Sequence, residues 1–499
     1  MIAASQHYNV RKLVSRSMNW EGPVTKLLGT AALALIAAMA PLGVAVGQTH
    51  DLERKIWNLL DVPGAPFVAL SEPDFRALGA DFTLPDGGRS VTALAERAAG
   101  GAFDPRDLKA IPPQQLGYQA QWVVERFRRY SLDWDIGALK LTSLNPEAGS
   151  YPWFIIMNGG AANFYEFYVD LKNRPGWAQY LAQKMNVLIV TIPGNFKYGG
   201  WDVPVMDQRR QPAYLLDREL SLEESEIRNA IYTNSLILQG VKQLVMKHTT
   251  GDILLIGHST SGEIAMLSYE DKELGPRLKG RFLGWGSGGP ARLELMRTVR
   301  GKNVRVRGGA SPQGTRSPLH ILERRDPASY SRGYSGFLNP LYEAGMSHLQ
   351  IAERWLSAEA RRRANFKQQL QNLEHGEDLG QKAEVEHEIE ALLKKSGNPW
   401  RIVVEDVERD LFVTNFTRLD GYRRMVWTTA HFDRNHWDPE EPMNSIELFV
   451  ANEYRAKNPG AEIRLLNFDP PMTHYGHLEL PRQLASAHYS VVRWLVRPD

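Results

Sequence analysis

Residues 253–267 read Ile-Leu-Leu-Ile-Gly-His-Ser-Thr-Ser-Gly-Glu-Ile-Ala-Met-Leu, the most informative segment of the sequence. The apolar run 253–256 predicts a short buried strand, and the apolar spacing after Gly262 predicts a helix. The six residues between them leave room for a tight turn. A hydroxyl group on such a turn projects beyond the end of the sheet, where the first amide groups of the helix also point.

The turn carries two serines that could supply this hydroxyl group, and backbone crowding distinguishes them. The strand and the helix nearly touch, so the residues two before and two after the exposed serine must be small. Gly257 and Ser261 meet this condition for Ser259, whereas a turn centred on Ser261 would place Glu263 at a crowded position. Ser259 is therefore the candidate nucleophile. The structural alternative is a polar residue that caps the helix.

Short apolar runs on both sides of this stretch alternate with segments of helical periodicity. The predicted strands are 119–129, 136–144, 153–157, 187–192, 253–256, 282–285, 425–429 and 463–468, and the longer predicted helices are 222–248, 445–457 and 483–496. This alternation predicts an α/β fold with a mostly parallel sheet that is covered by helices on both faces.

The strand, turn and helix around Ser259 resemble the α/β-hydrolase superfamily, whose signature is G-x-S-x-G in this setting. Ser261 stands where the signature has its last glycine. The resemblance covers about residues 118–499 and implies an α/β-hydrolase fold with an inserted helical cap. It also implies a catalytic triad in the order Ser, Asp or Glu, and His.

The family places the histidine in the loop after the last strand. Two histidines follow the run 463–468, and the Gly-His-Leu setting before the final helix favours His477. His474 is the alternative. The histidine of the pair that is not catalytic would be a hydrogen-bonding residue near the site.

The family places the acid a few residues beyond the preceding strand. Asp433 fits this position and Asp438 is the alternative, whereas Asp469 lies too close to the histidine loop. Each aspartate also has an ordinary structural interpretation, as a turn or helix-capping residue.

Two amide donors are needed where negative charge develops on the substrate. Thr260 follows the nucleophile and supplies one donor by position. The segment Asn158-Gly-Gly-Ala-Ala162 resembles the family's His-Gly-Gly segment, with Gly160 or Ala161 as the second donor. The structural alternative is a glycine turn after a strand.

Residues 1–47 have the pattern of a secretory signal peptide. The uncharged run 27–47 follows Arg11, Lys12, Arg16 and Lys26, and small residues precede Gln48. A membrane anchor is the alternative, because 21 residues can span a bilayer. We therefore expect a secreted or periplasmic protein, with membrane contact only if this segment is uncleaved.

The remaining organisation follows from changes in composition. Residues 48–117 are a loop-rich extension that is either a prosegment or an N-terminal wrap. The hydrolase core comprises residues 118–337 and 401–499. A charged, helix-favouring insertion, residues 338–400, would form the cap over the site.

Composition excludes several classes of function. The chain has 499 residues, a formal net charge of +2 and no cysteine. The charge argues against nucleic-acid binding, and the absence of cysteine excludes disulfides, thiolate metal sites and cysteine nucleophiles. The cluster His431, Asp433, His436 and Asp438 could hold a metal ion, but no matching cluster lies upstream.

Together these features predict an exported serine hydrolase without a cofactor that acts on a small-molecule or acyl substrate. A carboxylic ester is the expected substrate. An aminopeptidase-like peptidase, a lactonase or an acyltransferase on the same fold is the alternative.

Overall fold

The structure is a computed structural model, and part of the chain is described. The described residues are 51–63, 67–85, 105–129, 132–158, 164–170, 174–193, 197–198, 201–202, 234–258, 261–269, 271–286, 394, 397, 421–431, 455, 458–470, 472 and 475–498. The apolar run 27–47 lies outside them, as does the expected cap, residues 338–400, apart from two single residues. Within these ranges no helix has the length and apolar character needed to cross a bilayer.

Nine strands form one sheet in the order β1-β11-β10-β9-β8-β4-β5-β3-β2. The strands are β1 (Val68–Leu70), β2 (Tyr118–Arg129), β3 (Leu132–Ser143), β4 (Trp153–Met157), β5 (Val187–Thr191), β8 (Ile253–His258), β9 (Arg281–Trp285), β10 (Arg424–Ala430) and β11 (Glu462–Phe468). Strands β6 (Lys197–Tyr198) and β7 (Trp201–Asp202) form a separate two-stranded ribbon.

Most of the sheet is parallel, and among the nine strands β3 alone runs against the others. Strands β1, β11, β10, β9, β8, β4 and β5 pair in parallel, whereas β3 pairs antiparallel with β5 and with β2. The predicted α/β fold with a mostly parallel sheet is confirmed.

Helices pack against this sheet in two groups. They are α1 (51–60), α2 (Glu72–Ala77), α3 (Pro113–Leu116), α4 (Tyr165–Tyr168), α5 (Trp177–Leu181), α6 (Asn234–His248), α7 (Ser261–Leu267), α8 (Gly275–Leu278), α9 (Gly476–Glu479) and α10 (Pro481–Val496). Helix α10 contacts α2 and α5, while α6 contacts α7 and the hairpin β2–β3.

The central strands are buried along their whole length. Every residue of β4, β5, β8 and β10 is buried, which is why β4, β5 and the first four residues of β8 have apolar runs in place of alternation. The expected strand bounds agree with the structure to within two residues, except that β3 begins at Leu132 where 136 was expected.

The N-terminal extension contributes to the sheet, which the sequence did not predict. Strand β1 pairs in parallel with β11 and adds a ninth strand at that edge. The guanidinium of Arg464 donates from Nε to the carbonyl of Leu60 (2.6 Å), and Trp57 donates to the carbonyl of Ser490 (3.1 Å). Because Leu60 and Phe75 are fully buried, this segment forms part of the core.

Strand pairing brings three carboxyl ends to one place. Met157 of β4 pairs with Gly257 of β8, and His258 of β8 pairs with Trp285 of β9. In open parallel sheets, ligands bind beyond the carboxyl ends of the strands. The register therefore places the end of β8 in the middle of the edge where a site is expected.

Candidate active site

The chain makes a tight connection at the end of β8. Strand β8 ends at His258 and helix α7 begins at Ser261. A Cβ atom at Gly257 would overlap the backbone of Ser261 and Gly262, so the first glycine of the motif is sterically required. The close approach of strand and helix that the motif predicts is therefore present.

Ser261, which replaces the usual second glycine, has a specific partner. Its side chain is buried, and its Oγ donates a hydrogen bond to the carbonyl oxygen of Asn158. The side chain of Asn158 accepts in turn from the backbone N–H of Ile192 (3.3 Å). These bonds tie the turn to the ends of β4 and β5, so the departure from the signature adds a connection to the strand that precedes the candidate oxyanion segment.

His477 lies at the start of the short helix α9 and is fully buried. The indole Nε1 of Trp285 lies 3.1 Å from its Nδ1, and an indole N–H can only donate. Nδ1 therefore accepts and carries no proton. The proton of the neutral ring is on Nε2, which donates to Oε1 of Glu166 (3.0 Å).

The residue before the candidate nucleophile joins this group. The ring of His258 lies 4.6 Å from that of His477, centroid to centroid, at an interplanar angle of 70°. The ring of Phe167 packs on the imidazole of His477, with 4.8 Å between the ring centroids. We call Glu166, His258, Trp285 and His477 the carboxyl-end cluster. Its members come from α4, β8, β9 and α9, and all four are buried.

Three members of the cluster could be considered as metal ligands. Among the described residues, Glu166, His258 and His477 have candidate ligand atoms within 4.8 Å of one another. A metal-bound histidine normally donates its other N–H to an acceptor. The other nitrogen of His477 faces the donor Trp285, so this ring does not fit a metal site. Its hydrogen bonds fit a neutral imidazole whose proton is on Nε2.

A second acid lies at the end of β11. Burial raises the pKa of the Asp469 carboxyl above its ordinary value, although nearby His431 and a hydrogen bond from Asn467 (2.8 Å) act in the opposite direction. The backbone N–H of His431 donates to the carbonyl of Phe468 (2.9 Å), which joins the ends of β10 and β11. The strand end that precedes the expected acid therefore lies at the same edge as the cluster.

Most of the predicted site residues lie outside the described residues. They are Gly160, Ala161, Ser259, Thr260, Asp433, His436, Asp438 and His474. Of the predicted catalytic residues, His477 is described, and it lies in the carboxyl-end cluster. His258 precedes Ser259, Tyr475 follows His474, and His431 lies two positions before Asp433. All three are described at the carboxyl edge or in contact with the cluster.

Sequence reasoning missed Glu166, His258 and Trp285 as members of the cluster, and of these Glu166 has a signal in the sequence. It is the one charged residue in the aromatic run Phe164–Tyr168, and this run follows the candidate oxyanion segment. A carboxylate that interrupts five residues of otherwise aromatic character is a signal that could have pointed to it. Its exposed fraction is 3%.

Comparison with known proteins adds structural neighbours of low similarity. No protein-family model matches the sequence, and no curated protein matches it. The structure is similar to a membrane phospholipase A described as a bacterial virulence factor, at 16% identity over 80% of this chain and 90% of that one, with a TM-score of 0.34.

Two further neighbours have comparable values. A proline iminopeptidase-related protein from Thermus thermophilus is 12% identical over 75% of this chain and 99% of its own, with a TM-score of 0.33. An epoxide hydrolase from Vigna radiata is 8% identical over 76% and 98%, with a TM-score of 0.36. At these values the activities of the neighbours are not transferred to this chain.

Proposed function

We propose that this protein is a serine hydrolase that cleaves carboxylic esters through an acyl-enzyme. The observation that carries the proposal is the tight connection between β8 and α7. Gly257 has no room for a Cβ atom, and Ser261 is bonded to the end of β4. A serine between such a strand and helix is held in a strained, exposed turn in enzymes that use it as a nucleophile.

The hydrogen bonds of His477 support His474 as the general base. A triad histidine donates from Nδ1 to the acid and receives the serine proton on Nε2. In His477, Nδ1 accepts from Trp285 and Nε2 already donates to Glu166, and the ring is fully buried. His474 lies in the same loop and follows Ser and Asp in the family order. His477 then supports the loop.

The proposed reaction has two halves. His474 takes the hydroxyl proton of Ser259 as Oγ attacks the ester carbonyl, and Asp433 orients the imidazole and stabilises its protonated form. The amides of Gly160 and Thr260 hold the oxyanion. The carbonyl re-forms as the alcohol leaves with the proton from His474. Water then attacks the acyl-enzyme with the same base, releasing the acid and free serine.

Export completes the proposal. The positive residues and the uncharged run 27–47 support a cleaved signal peptide, which would deliver the enzyme to the periplasm or the medium. A chain without cysteine needs no oxidising step to fold in that compartment.

Substrate class is tested with matched chromogenic substrates. We expect the wild type to hydrolyse p-nitrophenyl esters, with a preferred acyl length, and Ser259→Ala to lose this activity. Aminoacyl anilides serve as the comparison. Anilide hydrolysis without ester hydrolysis would assign a peptidase, and ester hydrolysis that persists in Ser259→Ala would remove the proposed nucleophile.

A further inference from the structure

Glu166 is not among the groups that attack, transfer the proton or hold the oxyanion in the proposed reaction, yet it is buried between aromatic residues. It lies in α4, between Tyr165 and Phe167, and its carboxylate accepts the Nε2 proton of His477 at 3.0 Å. A buried carboxyl group is costly to the fold unless its hydrogen bonds compensate for the lost water. The placement therefore calls for a role that an apolar residue could not fill.

The bonds of Glu166 join parts of the chain that are distant in sequence. Helix α4 comes directly after residues 159–163, which contain the candidate oxyanion donor. The backbone N–H of Phe164 donates to Oγ1 of Thr191 (3.0 Å), which fixes the start of this segment to the end of β5. Glu166 is thus held on a part of the chain that is itself anchored to the sheet.

The other end of the link is the loop after β11. Helix α9 begins at Gly476, two residues after His474. A Cβ atom at Gly476 would lie 3.1 Å from the ring of Trp285, so α9 approaches β9 closely. The hydrogen bonds from Trp285 to His477 and from His477 to Glu166 therefore connect β9, α9 and α4 through one imidazole ring.

We propose that Glu166 is a positioning residue for acyl transfer, because its bond to His477 fixes the loop that carries the general base relative to the segment that carries the oxyanion donor. This inference rests on the proposed function. The two bonds of His477 define a single orientation of the ring, since Nδ1 must accept and Nε2 must donate. A flipped ring would present carbon atoms to both Trp285 and Glu166 and leave a buried donor and acceptor unsatisfied.

The test compares Glu166 with a matched buried position. Glu166→Leu removes the acceptor of the His477 N–H. Thr428→Val removes the acceptor of another buried imidazole N–H, that of His488, whose Nε2 lies 2.9 Å from the Thr428 hydroxyl. Both variants leave a buried histidine donor unsatisfied. If the bond of Glu166 contributes stability alone, the two variants will behave alike.

We expect the two variants to separate in their kinetics. With a p-nitrophenyl ester, Glu166→Leu lowers kcat by about 10- to 100-fold and leaves KM within about twofold, because misplacement of a catalytic group by about an ångström costs this much. Thr428→Val lowers the Tm but keeps the wild-type kcat. Glu166→Gln recovers most of the lost kcat, because its amide oxygen still accepts from Nε2.

Wild-type kcat in Glu166→Leu, or an equal loss of kcat in Thr428→Val, would overturn the inference. If Glu166→Leu does not fold, Glu166→Asp replaces it, because the shortened side chain withdraws the acceptor. Its kcat is expected to fall below that of Glu166→Gln, and the opposite order would overturn the inference.

The same proteins distinguish this inference from the proposed function. A wild-type enzyme that does not react with a fluorophosphonate at Ser259 contradicts the proposed function. A wild-type enzyme that reacts there, beside a Glu166→Leu variant that reacts at the same rate, contradicts only the positioning role.

Discussion

Two fully buried histidines in the last part of the chain both donate from Nε2, but to acceptors of different chemistry. His477 in α9 donates to a carboxylate and accepts from Trp285. His488 in α10 meets a hydroxyl group. The Thr428 hydroxyl donates to the carbonyl of Gly284 (2.6 Å), so it accepts the Nε2 proton of His488.

The difference lies in where each ring sits. His488 packs beside Trp177 and Trp285, and its partner Thr428 lies within β10. His477 sits beyond the strand ends, next to the residue that precedes the candidate nucleophile. A hydroxyl satisfies an imidazole within the core at little cost, whereas a buried carboxyl group is costly. We infer that the ring at the strand ends serves the chemistry and the ring against β10 serves the core.

Removal of the proposed base, His474, is expected to lower activity far more than substitution of His477. His474→Ala is expected to lower kcat by about 10⁴- to 10⁶-fold, the range found when a triad base is removed. His477→Gln is expected to lose about 100-fold or less, because it disturbs only the loop position. Ester kinetics on both variants measures this. If His477→Gln loses as much as His474→Ala, or His474→Ala stays active, the roles proposed for these two histidines are wrong.

The substitution Gly257→Ala, next to His258, is expected to strain the carboxyl-end cluster and to leave the region of helix α10 unchanged. In Gly257→Ala the new methyl group overlaps the Ser261 backbone, which cannot retreat from the strand. We expect destabilisation of about 2–4 kcal/mol, together with a loss of kcat.

Gly240 in α6 provides the control for this substitution. The atoms nearest to its added Cβ would belong to the side chains of Phe127 and Ile136, whereas at Gly257 the nearest atoms are backbone. Urea unfolding and ester kinetics on Gly257→Ala and Gly240→Ala compare the two positions. A wild-type kcat in Gly257→Ala would show that the turn is not crowded.

The smallest effect concerns the pH dependence of stability at His488. Burial lowers the pKa of His488 from 6.5 to about 3. Below pH 6.5 the unfolded chain binds a proton that the folded ring does not, so stability falls as the pH drops from about 6.5 towards 3. The slope from this group approaches about 1.4 kcal/mol per pH unit.

His488→Gln removes this titration while keeping a donor for Thr428. Urea unfolding between about pH 7 and 4 should therefore show a shallower decline in this variant than in the wild type, with unchanged ester hydrolysis at neutral pH. Parallel declines in the two proteins would mean that His488 is protonated in the folded state.

The sequence predicts the sheet well where burial is continuous. Strand β4 was expected at residues 153–157 and is found there. Five consecutive apolar residues followed by Asn-Gly-Gly favour a short buried strand that ends at a turn. Strand β1 was missed. Three residues between prolines have no periodicity of their own, and only pairing with β11, about 400 residues later, makes them a strand.

In the candidate site as well, features set by neighbouring residues could be predicted, whereas contacts between distant residues could not. Steric requirements within a few residues identified Gly257 and Ser261 as the small residues of the turn, and both are crowded or buried in the structure. Glu166 could not be paired with His477 from the sequence, because 311 positions separate them. Nor could the sequence show that Trp285 donates to Nδ1 of His477, the tertiary contact on which the proposal of His474 as the base rests.

The proposed role of Ser259 as the nucleophile can be tested by mapping a covalent adduct. Wild-type protein is treated with a fluorophosphonate probe, digested and analysed by mass spectrometry, with Ser259→Ala and Ser261→Ala treated in parallel. We expect one adduct, on Ser259, which persists in Ser261→Ala and disappears in Ser259→Ala. Labelling that persists unchanged in Ser259→Ala would show that Ser259 is not the nucleophile.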